Sequence, residues 1–288
     1  MLSRRSFIAL ATLAITGAAR AAPARLATLP AALAKYEKRN GGRLGVAVVD
    51  TQTGEQADHR GTERFPMCST FKFLLASAVL QRVDHHQEAM GRRIPVPAKP
   101  LLYHSPLTAP HAGGTMTIAD LCHAVLTQSD NTAANLLLST IGGPPGITRF
   151  ARSIGDGVTR LDRTELALNE ALDGDPRDTT NPIAMAGNLR TVLFGSILSP
   201  VYREQLTAWM VANETGLDRL RARLPSGWRA ADRTGNNGSH TSNDIAVFWP
   251  PNRAPLIIAA YITQCAGPET KRATLLADIG QLIADAYA

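Results

Sequence analysis

The sequence has few of the residues that build disulfide frameworks and metal centres. Its 288 residues include three cysteines, Cys68, Cys122 and Cys265, and contain neither a Cys-x-x-Cys nor a His-x-His cluster. Three cysteines allow one disulfide with one thiol left over, which is not a framework. The spacing of cysteine and histidine also offers no metal site.

Long apolar runs and basic stripes are missing as well. Beyond the first residues, no apolar run is long enough to cross a bilayer, and the chain has no repeat and no low-complexity segment. Aromatic residues make up 5% of the chain and do not alternate with a stripe of lysine and arginine, which argues against nucleic acid as a partner. A hydrophobic content of 44% and a charged content of 19% are ordinary for a soluble globular protein.

The first 21 residues have the pattern of an export signal. Arg4 and Arg5 precede a short apolar stretch, and residues 19–21 read Ala-Arg-Ala, which suits a cleavage site. The arginine pair followed by Phe7 resembles a twin-arginine signal, and a general secretory signal is the alternative. We therefore expect residues 1–21 to be removed during export.

Strand patterns at both ends of the chain enclose a helical middle. Strands are predicted near 43–50, 56–60, 228–236, 243–249 and 255–264, and terminal helices near 28–40 and 271–287. Between them, helices are predicted at 69–82, 117–126, 131–141, 145–154, 182–194 and 199–212. We expect residues 22–60 and 213–288 to form an α/β lobe, in which terminal helices cover one antiparallel sheet, and residues 61–212 to form an inserted all-helical lobe. A cleft between two such lobes is a natural active site.

Four short motifs with reactive side chains follow one another along the chain. In order they are Ser69-Thr70-Phe71-Lys72, Ser129-Asp130-Asn131, Glu165-Leu166-Ala167-Leu168-Asn169 and Arg233-Thr234-Gly235. Each motif alone is weak, because a capping or solvent-exposed role explains its residues as well. The ordered set is much harder to obtain by chance, so we interpret the four motifs as parts of one active site.

The first motif supplies a nucleophile with an amine beside it. Ser69 begins a predicted helix, whose N-terminal N–H groups favour an alkoxide or an oxyanion. Lys72 lies one helical turn further on, within reach of the Ser69 hydroxyl. A partly buried lysine that is crowded by other cations loses its proton more readily and can then act as a base.

The second and third motifs suit proton transfer and water activation. Ser129 could pass a proton to a leaving nitrogen and Asn131 could hold a substrate amide, whereas Asp130 is expected to cap the following helix. Glu165 and Asn169 are four residues apart and can share one water. A general base that activates water against an acyl-enzyme needs this arrangement.

The last motif lies on a predicted strand and suits an anionic substrate. Arg233 and Thr234 can bind a substrate carboxylate, and Gly235 lets another backbone segment approach closely. The N–H of Asn236 can pair with that of Ser69 as an oxyanion hole.

A long polar loop, residues 156–180, carries Glu165 and is called the Glu165 loop below. Loops of this length in a compact domain are usually functional. Arg163 and Asp178 carry opposite charges near its two ends and could close its neck as an ion pair. Asn135, on the preceding helix, could brace the loop from below.

The motif set resembles that of the class A serine β-lactamases over nearly all of the mature chain. Supporting stretches are 65–72 (Phe-Pro-Met-Cys-Ser-Thr-Phe-Lys), 129–135 (Ser-Asp-Asn-Thr-Ala-Ala-Asn), 174–180 (Gly-Asp-Pro-Arg-Asp-Thr-Thr) and 243–247 (Asn-Asp-Ile-Ala-Val). The resemblance implies the two-lobed fold of serine β-lactamases and penicillin-binding proteins. It also implies a periplasmic monomer that hydrolyses small-molecule β-lactams without metal or cofactor, with no nucleic acid partner and no stable membrane association after processing.

The resemblance also assigns roles to the reactive residues. In such enzymes Glu165 is the base that activates water for deacylation. Whether Lys72, or Glu165 through a water, takes the Ser69 proton during acylation is disputed for the family.

The sequence departs from the common family pattern at several positions. Arg233 stands where most members carry lysine and where a minority similar to carbenicillin-hydrolysing enzymes carry arginine, so the resemblance implies activity towards carboxypenicillins and other penicillins. Arginine keeps the cation, as a planar fork that does not deprotonate. Leu166 follows Glu165 where proline is frequent. His104 occupies the usual aromatic position at the cleft entrance, and Arg219 resembles an arginine that some members use as a second contact to the substrate carboxylate.

The cysteine positions also differ from those of members that have disulfides. No cysteine lies near residues 236–239 to pair with Cys68, and Ala76 stands where some members have the partner of Cys122. The resemblance therefore implies three free thiols.

Two other functions share part of the motif set. A penicillin-sensitive D-alanyl-D-alanine peptidase shares the Ser-x-x-Lys and strand motifs but deacylates β-lactams slowly, whereas Glu165 with Asn169 indicates fast deacylation. A β-lactam sensor would normally be tied to the membrane, and this sequence has a cleavable signal and no membrane helix. Rapid return of free enzyme after acylation separates a hydrolase from both.

Overall fold

The computed structural model describes residues 25–287, so the expected export signal, residues 1–21, lies outside the described residues. The helices are α1 (Leu29–Asn40), α2 (Phe71–Asp84), α3 (Ile118–Thr127), α4 (Asn131–Thr140), α5 (Pro144–Ser153), α6 (Pro182–Phe194), α7 (Pro200–Val211) and α8 (Glu269–Asp285). The strands are β1 (Arg43–Asp50), β2 (Gln56–His59), β3 (Phe65–Pro66), β4 (Arg93–Pro95), β5 (Thr115–Thr117), β6 (Thr179–Thr180), β7 (Arg229–Asn236), β8 (Ser242–Trp249) and β9 (Leu256–Thr263). Short 3₁₀ turns span Cys68–Thr70, Ala109–His111 and Ala167–Asn169.

Strands from the two ends of the chain form one antiparallel sheet in the order β2-β1-β9-β8-β7. Strands β1 and β9 pair along their whole length, from Arg43 opposite Thr263 to Asp50 opposite Leu256. This pairing confirms the prediction that both ends of the chain share a sheet. Every residue of β9 is buried, which explains why its sequence is a continuous apolar run rather than an alternating one.

Helices cover both faces of this sheet. On one face, α1 and α8 pack over residues such as Leu256 and Ile258. On the other face, α6 packs against β9 and α7 packs against β7, and Ile257, Ala259 and Tyr261 join the core of the helical middle of the chain. Because successive side chains of a strand point to opposite faces, β9 contributes to both cores.

Helix α2 is the central helix of the middle of the chain. It contacts α3, α4, α5 and α7, and nearly all of its side chains are buried, as expected for a helix that is apolar on all sides. It begins at Phe71, directly after the 3₁₀ turn, rather than at Ser69 as predicted. The division of the chain into lobes at residues 61 and 213 stays a prediction.

Two pairs of short strands were not predicted from the sequence. Strand β3 pairs with β6 and fastens the end of the Glu165 loop to the segment just before Ser69, and β4 pairs with β5. Strands of two or three residues are too short to show an alternating pattern, so only tertiary contacts reveal them.

The connection between β7 and β8 is longer than a tight two-residue turn, although it contains the sequence Asn237-Gly238. Asn236 pairs with Ser242, so the connection spans residues 237–241. The side-chain oxygen of Asn237 accepts the backbone N–H groups of Ser239, His240 and Thr241. This Asx turn, rather than a two-residue hairpin, shapes the loop.

The three cysteines are buried free thiols. Burial raises the pKa of the Cys68 and Cys122 thiols. Within residues 25–287, no helix is both long and apolar enough to cross a membrane. The same residues contain no group of three or more histidine, cysteine, aspartate or glutamate side chains that could hold a metal ion.

Candidate active site

The four motifs meet in one cleft between the helical middle of the chain and the sheet edge formed by β7. The cleft has a volume of about 550 Å³. Its lining includes these predicted site residues: Ser69, His104, Ser129, Asn131, Asn169, Arg219, Thr234, Gly235 and Asn236. The other three predicted residues, Lys72, Glu165 and Arg233, are buried behind this lining.

Lys72 is the centre of the reactive side chains. Its fully buried ammonium donates to Ser69 Oγ at 3.0 Å and to the Ser129 carbonyl at 2.8 Å. It also donates to Asn131 Oδ1 at 2.6 Å and lies 3.0 Å from Glu165 Oε1. One cation therefore contacts a residue of each of the first three motifs.

Burial and neighbouring charges act on Lys72 in opposite directions. Burial lowers the pKa of Lys72 most, the Glu165 carboxylate raises it, and the Arg233 guanidinium lowers it, with a lowered pKa as the net result. A lowered pKa makes the neutral amine more accessible, as a base beside Ser69 requires.

Glu165 directs its two carboxylate oxygens at different partners. Its Oε1 accepts a hydrogen bond from Ser69 Oγ at 3.3 Å, and its Oε2 accepts one from Asn169 Nδ2 at 2.6 Å. The peptide bond between Glu165 and Leu166 is cis. The carboxylate is thus held by an amide on one side and faces the nucleophile on the other.

The Glu165 loop is fixed at two points that the sequence indicated. Asn135 donates to the Glu165 carbonyl at 2.8 Å and accepts the Glu165 N–H at 3.0 Å. Arg163 Nε lies 2.5 Å from Asp178 Oδ2, and Asp178 Oδ1 also accepts the backbone N–H of Arg163 at 2.9 Å. Both the brace and the ion pair are confirmed.

The turn before α4 holds the second motif. Ser129 adopts a left-handed conformation with φ of 58°. Asp130 caps α4 by accepting the N–H of Ala133 at 2.9 Å, as predicted. Asn131 Nδ2 donates to the Tyr103 carbonyl at 2.8 Å. This hydrogen bond orients the Oδ1 of Asn131 towards the Lys72 ammonium.

The turn that carries Ser69 packs tightly against β7. Cys68 has φ of 43°, in the left-handed region that non-glycine residues rarely adopt. A Cβ on Gly235 would lie 2.8 Å from the Met67 carbonyl oxygen and 2.9 Å from the Ser69 nitrogen. Only glycine allows this contact, which confirms the predicted close approach and brings the strand of Asn236 against the nucleophile's turn.

Arg233 lies behind the cleft wall rather than in the cleft. Its guanidinium donates to the carbonyls of Val125 and Leu126 at 3.2 and 2.9 Å, and to the hydroxyls of Thr215 and Thr234 at 3.0 and 3.1 Å. Burial lowers the pKa of Arg233 to about 10, so it stays cationic at neutral pH. A bound carboxylate would meet the two hydroxyls, with the cation directly behind them.

Thr215 is a cleft residue that the sequence did not reveal. Its hydroxyl lies 2.5 Å from that of Thr234 and donates to Asn213 Oδ1 at 2.9 Å. Thr215 lies outside the four motifs, in the segment that follows α7, and no spacing marks it. Only the packing of this segment against β7 places it in the cleft.

His104 and Arg219 both line the cleft, and each is held by backbone carbonyls. The His104 ring donates to the carbonyl of Gln128 at 2.7 Å. Arg219 donates to the carbonyl of Asn243 at 3.0 Å and to the carboxylate of Glu269 at 2.8 Å. The charge of Arg219 is therefore already paired, although the residue borders the cleft.

Comparison with known proteins gives one consistent result. Residues 28–287 match the family model of the β-lactamase enzyme family. The chain is 46% identical over 297 residues to β-lactamase L2 of Stenotrophomonas maltophilia, covering 98% of each chain. It is also 46% identical over 255 residues to β-lactamase CTX-M-8 of Citrobacter amalonaticus, covering 88% of each.

Solved structures agree with these relatives. The chain superimposes on an ancestral (GNCA) class A β-lactamase with a TM-score of 0.88 and 56% identity, covering 90% of this chain and 99% of the other. It also superimposes on a β-lactamase from Xanthomonas campestris with a TM-score of 0.89 and 48% identity, covering 91% and 98% of the two chains.

We expect the Gly235→Ala substitution to destabilise the protein by about 1–3 kcal/mol, because the new methyl group would overlap backbone atoms that cannot move independently. Denaturant unfolding measures the change. Gly187→Ala is the matched control, since Gly187 lies on the exposed side of α6 with open space around it and should gain about 0.5–1 kcal/mol. Equal stability of the two variants would contradict the tight contact.

Proposed function

The chain belongs to the β-lactamase enzyme family and to its class A, and we propose from this that it hydrolyses β-lactams through an acyl-enzyme on Ser69. The observation that carries the proposal is the joint contact of Ser69 Oγ with an amine and a carboxylate, at 3.0 Å from Lys72 Nζ and 3.3 Å from Glu165 Oε1. A nucleophile that touches two proton acceptors is equipped for both halves of an acyl transfer.

In the first half, Ser69 Oγ attacks the carbonyl carbon of the lactam ring. Its proton passes to Lys72, or to Glu165 through a water, and the backbone N–H groups of Ser69 and Asn236 stabilise the oxyanion. The carbon–nitrogen bond then breaks, and the ring nitrogen receives a proton from Ser129. The Ser129 hydroxyl lies 3.2 Å from Lys72 Nζ, which can replace that proton.

In the second half, water attacks the ester carbonyl on Ser69. Glu165 accepts a proton from this water, and Asn169 holds both the carboxylate and the water. Collapse of the tetrahedral intermediate breaks the ester bond, Glu165 gives the proton it accepted to Ser69 Oγ, and the opened ring is released as a carboxylic acid. No observation favours the peptidase or the sensor over this cycle.

The substrate carboxylate binds at the hydroxyls of Thr234 and Thr215, with Arg233 behind them. Arg219, whose charge is paired with Glu269, borders this end of the cleft as a second contact to the substrate carboxylate. His104 and Asn131 contact the opposite part of the substrate. Because the Arg233 guanidinium fixes both hydroxyls and keeps a permanent positive charge behind them, we propose penicillins, including carboxypenicillins, as preferred substrates.

The protein acts as a periplasmic monomer after export by the twin-arginine route. The basis for the route is the Arg4-Arg5 pair followed by Phe7 and an apolar stretch. The monomer and the absence of nucleic acid or stable membrane partners follow from the family and from the composition.

We expect the Glu165→Ala variant to acylate but to remain acylated, because it loses the base for the second half while Lys72 remains beside Ser69 for the first. Intact mass after mixing with a chromogenic cephalosporin should show a lasting adduct on Ser69, and turnover should fall by at least about 100-fold. The control Glu170→Ala changes a half-exposed carboxylate of the same loop and should turn over normally. A stable adduct already on the native protein would instead indicate a peptidase or a sensor.

We expect Arg233→Lys to lower the ratio of carbenicillin to ampicillin turnover, measured as kcat/KM, by roughly 10-fold. One ammonium, with three N–H donors, cannot replace all the contacts of the guanidinium, and a charge-assisted hydrogen bond contributes about 1.5–3 kcal/mol. The control Arg229→Lys alters an exposed arginine of the same strand. A native ratio far below one, or an unchanged ratio in the variant, would contradict the proposed preference.

We expect the double substitution Arg4→Lys and Arg5→Lys to leave the precursor in the cytoplasm, since the twin-arginine pathway recognises the arginine pair. Cell fractionation with immunodetection of precursor and mature forms measures this. Undiminished export of the double variant would indicate the general secretory route.

A further inference from the structure

Asn243 connects the sheet to the turn that carries the nucleophile. It lies on β8 directly opposite Gly235 of β7, and its side chain is fully buried. Its Nδ2 donates to the carbonyl oxygens of Pro66 and Met67 at 2.8 and 3.1 Å. Because Gly235 has no side chain, the Asn243 amide reaches past β7 to this backbone without obstruction.

The hydrogen-bond pattern determines the orientation of this amide. With the amide reversed, Oδ1 would face two carbonyl oxygens, which cannot donate a hydrogen bond. In the observed orientation both amide hydrogens are used, so the Asn243 nitrogen donates to both carbonyls at once.

The two carbonyls that Asn243 binds belong to the chain just before a strained residue. Cys68, with φ of 43°, lies between Met67 and Ser69, and such a conformation persists only when its surroundings hold it in place. The Met67 carbonyl also accepts the backbone N–H of Thr70 at 3.2 Å and its hydroxyl at 2.9 Å. Asn243 thus adds the link from this turn to the sheet.

We infer that Asn243 is a positioning residue for the oxyanion hole, an inference that rests on the proposed function. The two N–H donors of the hole lie on different elements, the Ser69 turn and β7, and both must point at one oxygen. Donors must lie about 2.7–3.1 Å from the developing oxyanion, and a misplacement of about 1 Å is costly. By tying the turn to β8, which pairs with β7, Asn243 sets the distance between the donors.

The test uses the acyl-enzyme that accumulates in a Glu165→Ala background. Hydrogen bonds from the hole polarise the ester carbonyl on Ser69 and lower its infrared stretching frequency. We expect Asn243→Leu, which has similar volume but no donor, to raise this frequency. We also expect Asn243→Leu to slow acylation by about 10- to 100-fold. This is less than the roughly 10²- to 10³-fold loss that follows removal of one oxyanion-hole donor.

A second variant and a control complete the experiment. Asn243→Asp keeps the side-chain shape and, when protonated, one donor. The infrared band of its ester carbonyl should therefore lie between the bands of the parent and of the leucine variant. Ser242→Ala is the matched control, because Ser242 is the buried neighbour on β8 and its hydroxyl has no partner among the described residues. Its band should equal that of the parent. Only folded molecules acylate, so the band reports the native state even where folding is impaired.

The outcomes distinguish the proposed function from the role of Asn243. If the native protein turns over no β-lactam and the Glu165→Ala parent forms no acyl-enzyme, the proposed function is wrong and this inference is wrong with it. If the native protein turns over but the parent does not acylate, Glu165 acts in acylation too, and the acylation rates of the Asn243 variants are compared in the native background. If the parent acylates but both Asn243 variants keep the parental band, Asn243 is merely structural and the inference alone is overturned. Complete absence of acylation in both variants would also overturn it, since the backbone donors of the hole remain present.

Discussion

The buried ammonium of Lys72 is the interaction on which the cleft depends. A charge removed from water is tolerated only when it is paired and hydrogen-bonded. Its partners come from three segments that are far apart in sequence: the turn of Ser69, the turn of Ser129 and Asn131, and the loop of Glu165. The hydrogen bonds that this one cation needs therefore bring the reactive groups together. The same contacts place Ser69 beside both Lys72 and Glu165.

A second buried cation acts from the sheet. Arg233 is held by two carbonyls from the C-terminal part of α3 and by two hydroxyls that line the cleft. Its charge also contributes to the lowered pKa of Lys72, although burial is the larger cause. The sheet edge therefore places two hydroxyls with a cation behind them at the cleft, and the same cation helps to lower the pKa of the amine beside Ser69.

Local patterns predicted most of the regular elements. Helix α6 has the predicted bounds, residues 182–194, and Thr117 caps α3 together with Asp120, at the start of the helix predicted from residue 117. These features depend on neighbouring residues, such as periodicity and capping side chains, which the sequence displays directly. Strands β3 to β6 are so short that their hydrogen bonds exist only because the rest of the fold brings the segments together.

The sequence by itself determined the inventory of reactive groups and the two ends that share a sheet, because motif order and hydrophobic periodicity are local properties. It also indicated the contacts of Asn135 with Glu165 and of Arg163 with Asp178, since both partners belong to the Glu165 loop, which is recognisable in the sequence. The tertiary structure alone decided that Arg233 acts through two hydroxyls, that Thr215 borders the cleft and that Asn243 reaches the turn of Ser69. Each of these depends on which side chains meet across β7 and its neighbours, and register between distant segments is not encoded in any short stretch of sequence.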